Sequence, residues 1–529
     1  MDHIRLLNQV RSEKNIRLAC KYAFYDRCKN DDYFDHFELE YFKEFQERLI
    51  EEIRLELQQP EKFQVRPAYT YYTAKDNLCY RRMIYIPFKD LVIRYAYIII
   101  LANYFDKSLS KNCFANRRAT GKQAENSLLE DFYKVSMPNF IEWQEKCANH
   151  YDVLIRTDIS SFYDSISHQY LIDNLCNYLS TYRDTDFINI FYKLLCPDII
   201  SYSHKTNKVQ QKQTLLQGIT IGNNLEGFLA NLYLKDIDEV MQDKDIEFGR
   251  YSDDMRIFAK NSETAHRYLL ILQEHLLNKG LNLNASKTKI AKNKEEMEEI
   301  KSRIYKSLSI DSYDTFPENQ DSDYSNFVYN NEVEKNIDIK ENSNLYFSDF
   351  DPDSQIKEEE DAKKFCIYLS KRINTKDRTI KHIIQLENIL TNFQRRGKHA
   401  SWLLVESIYN KYIPTNTKEK AMEVLFKIFH DNTVIFYTRY RLLHHLVNLN
   451  YDINGNKLIK TIERQSELFD IILIFLKKPS FPLNLTALYA LRELGYSRNK
   501  IENSYLSYLP IPLSDPILNA ISYMQELDG

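Results

Sequence analysis

The sequence predicts an α+β domain followed by an all-α domain. Between residues 61 and 310, short apolar runs alternate with helical stripes, an order typical of a sheet with helices packed on one side. From residue 362 to 529, almost every stretch has helical periodicity, and breaks at proline and glycine favour stacked helix pairs. Residues 311–361, between these domains, are acidic and rich in Asn and Ser, which predicts a flexible insert or linker.

The N-terminal part of the chain predicts helices and then strands. Residues 1–60 are dense in charge and end at Pro60, which favours an N-terminal helical region. The run RRMIYIPF (81–88) is typical of a strand, and an apolar helix follows it. The longest apolar run of that helix is far too short to span a membrane, and the N-terminus lacks the apolar core of a signal peptide. We therefore expect a cytoplasmic protein with no membrane partner.

The central elements follow one another as strand, helix, hairpin, helix and strand. The stretch DVLIRTD (152–158) predicts a buried strand with a charged end. FGRYSDDMRIFA (248–259) predicts a hairpin, a helix over 262–278 follows it, and GLNLNASKTKI (280–290) reads as a turn and a short strand. A helix before the hairpin is predicted by an apolar stripe at helical spacing: Leu225, Phe228, Leu229, Leu232 and Tyr233.

Two apolar stripes illustrate the helical periodicity of the C-terminal region. One stripe comprises Ala421, Val424, Leu425, Ile428 and Phe429, and the other comprises Leu442, Leu443, Leu446 and Val447. The adjacent histidines His444 and His445 lie on the second of these helices without a metal-binding spacing. We therefore interpret them as ordinary surface or core residues.

The composition indicates a globular protein of several domains with an uneven charge distribution. The 529 residues are 43% hydrophobic and 28% charged, which suits a soluble protein of two to four domains. The net charge of −4 conceals a charge of −13 within 311–361, so the remainder carries +9. This excess is compatible with a polyanionic partner. The eight cysteines are scattered without a close pair, so neither a zinc site nor a disulfide framework is indicated.

Two adjacent aspartates occupy the tip of the predicted hairpin. Strands disfavour aspartate, but a tight turn can present Asp253 and Asp254 together at one edge of a sheet. Mg²⁺ prefers such hard oxygen ligands, and two ions about 4 Å apart can serve a phosphoryl transfer. A further carboxylate is then required, and Asp158 stands at the charged end of an otherwise apolar strand.

Glycine is concentrated at one place in the chain. Only 10 glycines occur in 529 residues, yet Gly218, Gly222 and Gly227 fall within ten positions. This density indicates a backbone that turns sharply or is approached closely by another group.

Five segments resemble the fingers and palm motifs of reverse transcriptases, in the same order. They are RRMIYIPFKDLVIRY (81–95), RTDISSFYDSI (156–166), LLQGITIGNNLEGFLANLYL (215–234), RYSDDMRIFA (250–259) and GLNLNASKTKI (280–290). The resemblance covers about residues 75–300. It implies a right-hand polymerase with fingers and palm, acting on dNTPs and an RNA template to make DNA.

The resemblance assigns roles to individual residues. Asp158, Asp253 and Asp254 match the catalytic aspartates that bind two Mg²⁺ ions. Tyr163 matches the bulky side chain that leaves no room for a ribose 2′-hydroxyl, although an aromatic residue here can also be ordinary core.

Other matched residues face the incoming nucleotide. Gln217 and Gly218 match the turn that lies against it, and Arg82 matches the arginine that holds the triphosphate, with Arg81 as the rival. Lys287 resembles a lysine proposed to protonate the pyrophosphate leaving group, although it can also be a solvated surface charge.

A basic segment before the palm resembles a loop that faces the template. FANRRATGK (114–122) supplies Arg117, Arg118 and Lys122. Contacts of such residues with phosphates would be independent of sequence and sensitive to salt.

The helical C-terminal half makes the chain similar to abortive-infection polymerases and related bacterial defence-associated reverse transcriptases. This resemblance implies a HEAT-like repeat domain, anti-phage defence, homo-oligomers with a hexamer among them, and synthesis primed by a protein tyrosine. The primer could lie in the acidic insert or in the N-terminal region. Some members copy an associated non-coding RNA, and others extend without a template.

Two other hypotheses stay open. One keeps the chemistry but makes DNA synthesis independent of a template. The other makes the protein an RNA-binding oligomeric scaffold with a vestigial palm.

Overall fold

The computed structural model describes most of the chain outside the acidic segment. The described residues are 3–29, 35–75, 79–201, 211–220, 225–300, 351–352, 354–370, 378–448, 458–477, 481–509 and 515–527. Most of the predicted insert 311–361, together with Gly222, lies outside them. The described part is an α+β arrangement with many helices, as the sequence predicts.

The described residues up to Phe105 form five helices and one β-hairpin. The helices are α1 (His3–Val10), α2 (Glu13–Lys29), α3 (His36–Glu44), α4 (Gln46–Gln58) and α5 (Phe88–Phe105). The hairpin strands are β1 (Ala68–Ala74) and β2 (Tyr80–Tyr85), and α5 is buried along nearly its whole length. Among the described helices, none combines the length and the apolar character needed to cross a bilayer.

The middle of the chain alternates helices and strands. In chain order these elements are α6 (Met137–Ala148), β3 (Val153–Thr157), α7 (Phe162–Ser165), α8 (His168–Leu179), α9 (Asp186–Leu195), β4 (Asp198–Ser201), β5 (Gln211–Thr214), α10 (Glu226–Asp243), β6 (Glu247–Tyr251), β7 (Asp254–Ala259), α11 (Ser262–Leu277) and β8 (Lys289–Ala291). The strand, hairpin and helix predicted within 152–158, 248–259 and 262–278 are therefore confirmed.

The described strands form two four-stranded sheets. The first has the order β2-β1-β4-β5 and the second the order β6-β7-β3-β8. In the second sheet, β3 is central and antiparallel to both β7 and β8. Its apolar residues are buried on both faces, so the charged residue after the strand is carried to the edge of a rigid sheet.

Helices cover both faces of the second sheet, contrary to the expectation of one face only. Leu154 and Phe258 belong to a buried cluster with Cys147 and Ala148 of α6. Ile155 and Ile257 alternate with them and join the main core with α10 and α11. Because successive strand residues point to opposite faces, an unbroken apolar strand requires cover on both sides.

The described helices after residue 351 pack both against their neighbours in the chain and against the next helix but one. They are α12 (Glu359–Ser370), α13 (Ile380–Asn392), α14 (Gly397–Tyr409), α15 (Thr415–His430), α16 (Phe436–Asn448), α17 (Gln465–Lys477), α18 (Phe481–Glu493), α19 (Arg498–Ser504) and α20 (Asp515–Leu527). Helix α13 packs on α14 and α15, helix α14 packs on α15 and α16, and helix α17 packs on α18. The described part of this region is all helical, as predicted.

The C-terminal helices pack against the first sheet and the N-terminal helices. Tyr69, Tyr71 and Tyr85 of the hairpin lie in the same buried cluster as the C-terminal helices. Tyr41 of α3 stacks on Tyr523 of α20, with the ring centroids 4.1 Å apart. The helical domain therefore fixes one face of the hairpin that carries Arg81 and Arg82.

Candidate active site

A tight turn joins β6 to β7 and carries the first of the two aspartates. Ser252 adopts a left-handed conformation with φ of 58°, and Asp253 follows it in the turn. Asp254 is already the first residue of β7, paired with Tyr251. The turn therefore places Asp253 at the edge of the sheet, while Asp254 takes a strand position.

Asp158 follows β3 at the same edge of the sheet. In the register of β3 with β7, Thr157 pairs with Met255, so the next position of β3 comes beside Asp254. Burial, the charge of Asp158 and the charge of Asp254 raise the pKa of Asp253 to about 6. The two aspartates predicted from distant segments are therefore close enough to repel each other.

Asp254 is engaged by arginines. Its carboxylate oxygens accept hydrogen bonds from Arg256 at 2.7 and 2.9 Å, and Arg156 lies at 3.4 Å. Burial would raise its pKa, but these two guanidinium groups hold the pKa below its ordinary value. Among the described residues, no three acidic, histidine or cysteine side chains are gathered into a ready-made metal cluster. The carboxylate of Asp254 is paired with arginines here, and its role as a metal ligand stays a prediction.

Asp158 and Asp253 nevertheless suit a divalent cation. Their carboxylates are hard oxygen donors, and their mutual repulsion is what a bound cation would relieve. The side chain of Asp158 is only 13% exposed, and Lys287 Nζ lies 2.9 Å from its Oδ2. The side chain of Lys287 is itself 60% exposed, so it provides a positive charge beside Asp158 at the protein surface.

Tyr163 closes the site beside the turn. Its hydroxyl lies 3.0 Å from Ser252 Oγ, one residue before Asp253. Burial raises the pKa of Tyr163, and the charge of Asp253 adds to this effect against the opposing hydrogen bond from Ser252. The phenol is therefore neutral, and its ring is held at a fixed distance from the acidic pair.

Gly218 packs directly on the backbone next to Tyr163. Its φ is 84°, and a Cβ at this position would lie 3.0 Å from Asp164 Cα and 3.1 Å from the carbonyl oxygen of Tyr163. Its amide donates to the carbonyl of Ile166 at 2.8 Å. Both the positive φ and the close approach require glycine, as the concentration of glycines indicates.

His168 stabilises the turn at Gly218 by a hydrogen bond. Its Nε2 donates to the carbonyl oxygen of Gly218, and its Nδ1 lies 3.1 Å from the sulfur of Cys196. Burial lowers the pKa of His168, so the ring is neutral and Nε2 carries the proton. Next to Gly218, the exposed Gln217 donates to the carbonyl of Ser165 at 3.2 Å.

Arg82, on strand β2 of the first sheet, contacts the short helix α7. Its NH2 lies 3.1 Å from Asp164 Oδ1, and both side chains are about half exposed. The neighbouring Arg81 points to the opposite face of β2, since successive strand residues alternate. Of the two arginines, Arg82 is the one that contacts Asp164, the residue after Tyr163.

Arg117 does not fit the expectation of a template contact. Its guanidinium pairs with Asp106 and also donates to the backbone carbonyls of Ser110 and Cys113 at 3.1 Å. These contacts occupy its donors and tie the loop together.

Arg118 and Lys122, in contrast, have exposed side chains on the same loop. The backbone amide of Arg118 donates to Asp106 at 2.8 Å, which leaves its guanidinium at the surface. A contact of Arg118 and Lys122 with the template therefore stays a prediction.

Two buried arginines support the hairpin and were missed in the sequence. Arg250 is fully buried and forms a paired contact with Asp238, at 2.8 Å from each oxygen, and a hydrogen bond to Asn231 at 2.7 Å. Arg256 is also fully buried and bonds Gln144 as well as Asp254. Both arginines stand between apolar residues of a strand. A charged residue at such an inward-facing position indicates a buried ion pair, and this signal is present in the sequence.

A comparison with known families agrees with this geometry. The family model described as reverse transcriptase (RNA-dependent DNA polymerase) matches residues 100–309. The chain is therefore similar, over residues 100–309, to a reverse transcriptase domain. The enzyme class of that domain is RNA-directed DNA polymerase, a nucleotidyltransferase. No curated protein matches the sequence.

The match includes the three aspartates, Tyr163, Gly218 and Lys287, but the hairpin with Arg82 lies before it. The reverse transcriptase domain implies binding of nucleotides and of a nucleic acid template. Polymerases of this family typically use divalent metal ions, which agrees with the donor set formed by Asp158 and Asp253.

Proposed function

We propose that the chain is a Mg²⁺-dependent DNA polymerase in which Asp158, Asp253 and Asp254 bind two Mg²⁺ ions. The observation that carries this proposal is the register of β3 with β7, which brings Asp158 beside the turn that holds Asp253, within the segment matched by the reverse transcriptase model. Bound Mg²⁺ would offset negative charge on the reacting phosphates and their oxygens. For Asp254 to take part, its carboxylate would have to turn away from Arg256.

The residues around the aspartates would bind and orient a dNTP. Arg82 offers a planar guanidinium to the triphosphate, and Gln217 and Gly218 form the surface against the nucleotide. The ring of Tyr163 would exclude a 2′-hydroxyl. Lys287 is close enough to Asp158 to carry a proton toward the leaving group from an exposed position.

The template would be RNA, held by phosphate contacts with Arg118 and Lys122. Both side chains are exposed at the surface of a loop whose backbone is fixed by Asp106. The loop is thus rigid while its charges are available to solvent. DNA would be the product.

We further propose a role in bacterial anti-phage defence. The region after residue 351, whose described part consists of helices packed on one another, is the feature that favours the abortive-infection group over other reverse transcriptases. In this proposal the region is a HEAT-like repeat domain, the protein is a cytoplasmic homo-oligomer, and it copies an associated non-coding RNA from a tyrosine primer.

A nucleotide incorporation assay tests the chemistry. Full-length protein, labelled dNTPs and Mg²⁺ should yield polymer, and the double variant Asp253→Asn, Asp254→Asn should yield none. Asp152→Asn is the matched control, because Asp152 is exposed just before the first residue of β3, at the end away from the site. Equal incorporation by the double variant and the wild type would refute the proposal.

Sequencing of co-purified nucleic acid tests the template and the primer. A DNA complementary to one RNA and covalently bound to a tyrosine is the expected result. A product that matches no RNA would instead indicate synthesis without a template. Unchanged phage protection by the inactive double variant would favour the scaffold role.

A further inference from the structure

A cluster of four aromatic rings lies at the surface of the C-terminal helical domain. Phe469 stacks on Tyr496 with the centroids 5.4 Å apart, and Tyr505 contacts both rings at 5.6 Å. Tyr508 continues the series 6.4 Å from Tyr505. All four side chains pack against the core of the domain but keep part of their surface exposed.

Two lysines flank the rings of this aromatic cluster. Lys477 Nζ lies 4.5 Å from the ring centroid of Tyr508, and Lys500 Nζ lies 4.5 Å from that of Tyr496. Both lysines are exposed. Glu502, on the same helix as Lys500, is paired with Arg498 at 2.9 Å. The surface therefore combines partly exposed aromatic rings with positive charges on flexible side chains.

The excess of positive charge in the chain is concentrated in this domain. Residues 362–529 contain 24 Lys and Arg against 15 Asp and Glu, a net charge of +9. Residues 1–310 contain 44 of each sign and are neutral. The positive excess that favours a polyanionic partner thus belongs to the helical domain and not to the polymerase part of the sequence.

We propose that the aromatic cluster and its two lysines bind single-stranded nucleic acid. Bases would stack on the exposed rings, and Lys477 and Lys500 would contact the phosphates on either side, as in other sequence-tolerant single-strand sites. A duplex would fit poorly, because its bases are already stacked and cannot reach the rings. This site lies outside the reverse transcriptase domain and does not depend on its catalytic residues.

The binding test uses full-length protein in EDTA without dNTPs, so catalysis plays no part. Fluorescent dT30 and U30 report affinity by anisotropy over a series of salt concentrations. Reversing both lysine charges, with Lys477→Glu and Lys500→Glu, should lower affinity about tenfold and reduce the salt slope by about one to two. Tyr505→Ala with Tyr508→Ala should lower affinity about tenfold with an unchanged salt slope. Tyr505→Phe with Tyr508→Phe should bind like the wild type.

The matched control is Lys411→Glu. Lys411 is also exposed and lies 5.1 Å from the ring centroid of Tyr412, but among the described residues no second aromatic ring contacts Tyr412. This variant should bind both oligomers like the wild type. An equal loss with Lys411→Glu would show that only the overall charge matters and would overturn the proposal.

Photocrosslinking separates this surface from the polymerase groove. An oligonucleotide carrying 5-iodouracil should crosslink to peptides that contain Tyr496, Tyr505 or Tyr508. Crosslinks confined to residues 61–310, or wild-type affinity of the double lysine variant, would overturn the proposal. Either result would leave the polymerase proposal intact, since the incorporation assay tests that proposal separately.

Discussion

Asp253 and Asp158 come from different strands of one sheet and repel each other at its edge. Burial and this repulsion raise the pKa of Asp253 to about 6. Because the folded pKa exceeds the ordinary value of 3.8, the folded state gains protons that the unfolded state lacks, and stability falls as pH rises from about 4 to 6. The metal-free site is therefore destabilised at neutral pH.

We expect Asp253→Asn to stabilise the metal-free protein at pH 7.5. Removing the charge should raise the free energy of unfolding by about 1–2 kcal/mol, after allowance for solvent screening. At pH 5 the gain should shrink, because Asp253 of the wild type is then largely protonated. Denaturant unfolding in EDTA at the two pH values measures both effects. Asp152→Asn should show neither, and an equal gain at both pH values would contradict the electrostatic cause.

We expect Gly218→Ala to impair nucleotide binding more than stability alone explains. A methyl group here would lie 3.0 Å from the backbone of Asp164 and would move the chain beside Tyr163. The KM for dNTPs should rise about tenfold, since small displacements at a binding surface cost this much.

Gly280→Ala provides the control for backbone strain. Gly280 also has a positive φ, of 73°, but nothing lies within 4 Å of its added Cβ. It should lose about 1 kcal/mol of stability and keep its KM. A matching rise of KM in both variants would mean that strain alone, and not the contact with Asp164, is responsible.

The sequence was sufficient to predict the positions of the two coupled aspartates. Asp158 ends an apolar strand and Asp253 lies in a turn, so local patterns alone bring both to a sheet edge. The family resemblance added that these edges are neighbours. Side-chain pairing was less accessible, because Arg256, which binds Asp254 two positions away on the same strand, also bonds Gln144, which is 112 positions away in the sequence.

Long-range packing accounts for the rest of what was missed. His168 reaches Gly218, which is 50 positions away, and Arg82 reaches Asp164, which is 82 positions away. The sequence around these residues has no periodic pattern that would predict either contact. The contact of Tyr41 with Tyr523 joins nearly the two ends of the described chain, and no motif on either side predicts it.

We expect Tyr163→Ala to admit ribonucleotides. Removing the ring opens the space in which a 2′-hydroxyl would lie, so the ratio of kcat/KM for rNTP over dNTP should rise about 10- to 100-fold. Tyr163→Phe is the matched control, because it removes only the hydrogen bond to Ser252. Primer extension with each nucleotide type measures the ratio. An unchanged ratio in the alanine variant would assign Tyr163 to the core alone.

Because Arg82 and Asp164 form an ion pair, we expect substitutions of the two residues to change the KM for dNTPs in opposite directions. Arg82→Ala should raise the KM for dNTPs about tenfold, because a triphosphate loses a charged, two-pronged donor. Asp164→Asn should instead lower KM, since it frees Arg82 from a competing carboxylate. The ion pair is about half exposed, so its strength is at most about 1 kcal/mol and the gain at most about fivefold. Steady-state kinetics with varied dNTP measures both changes.

Arg81→Ala is the control for the choice between the two arginines. Arg81 is exposed on the other face of β2, where Thr73 is its partner in the hairpin. Its loss should leave KM within about twofold of the wild type, because its charge is exposed and screened by solvent. If Arg81→Ala raises KM while Arg82→Ala does not, the triphosphate approaches from the face opposite to Asp164. In that case Asp164→Asn should also have no effect, so the three variants together fix the face of the hairpin that receives the nucleotide.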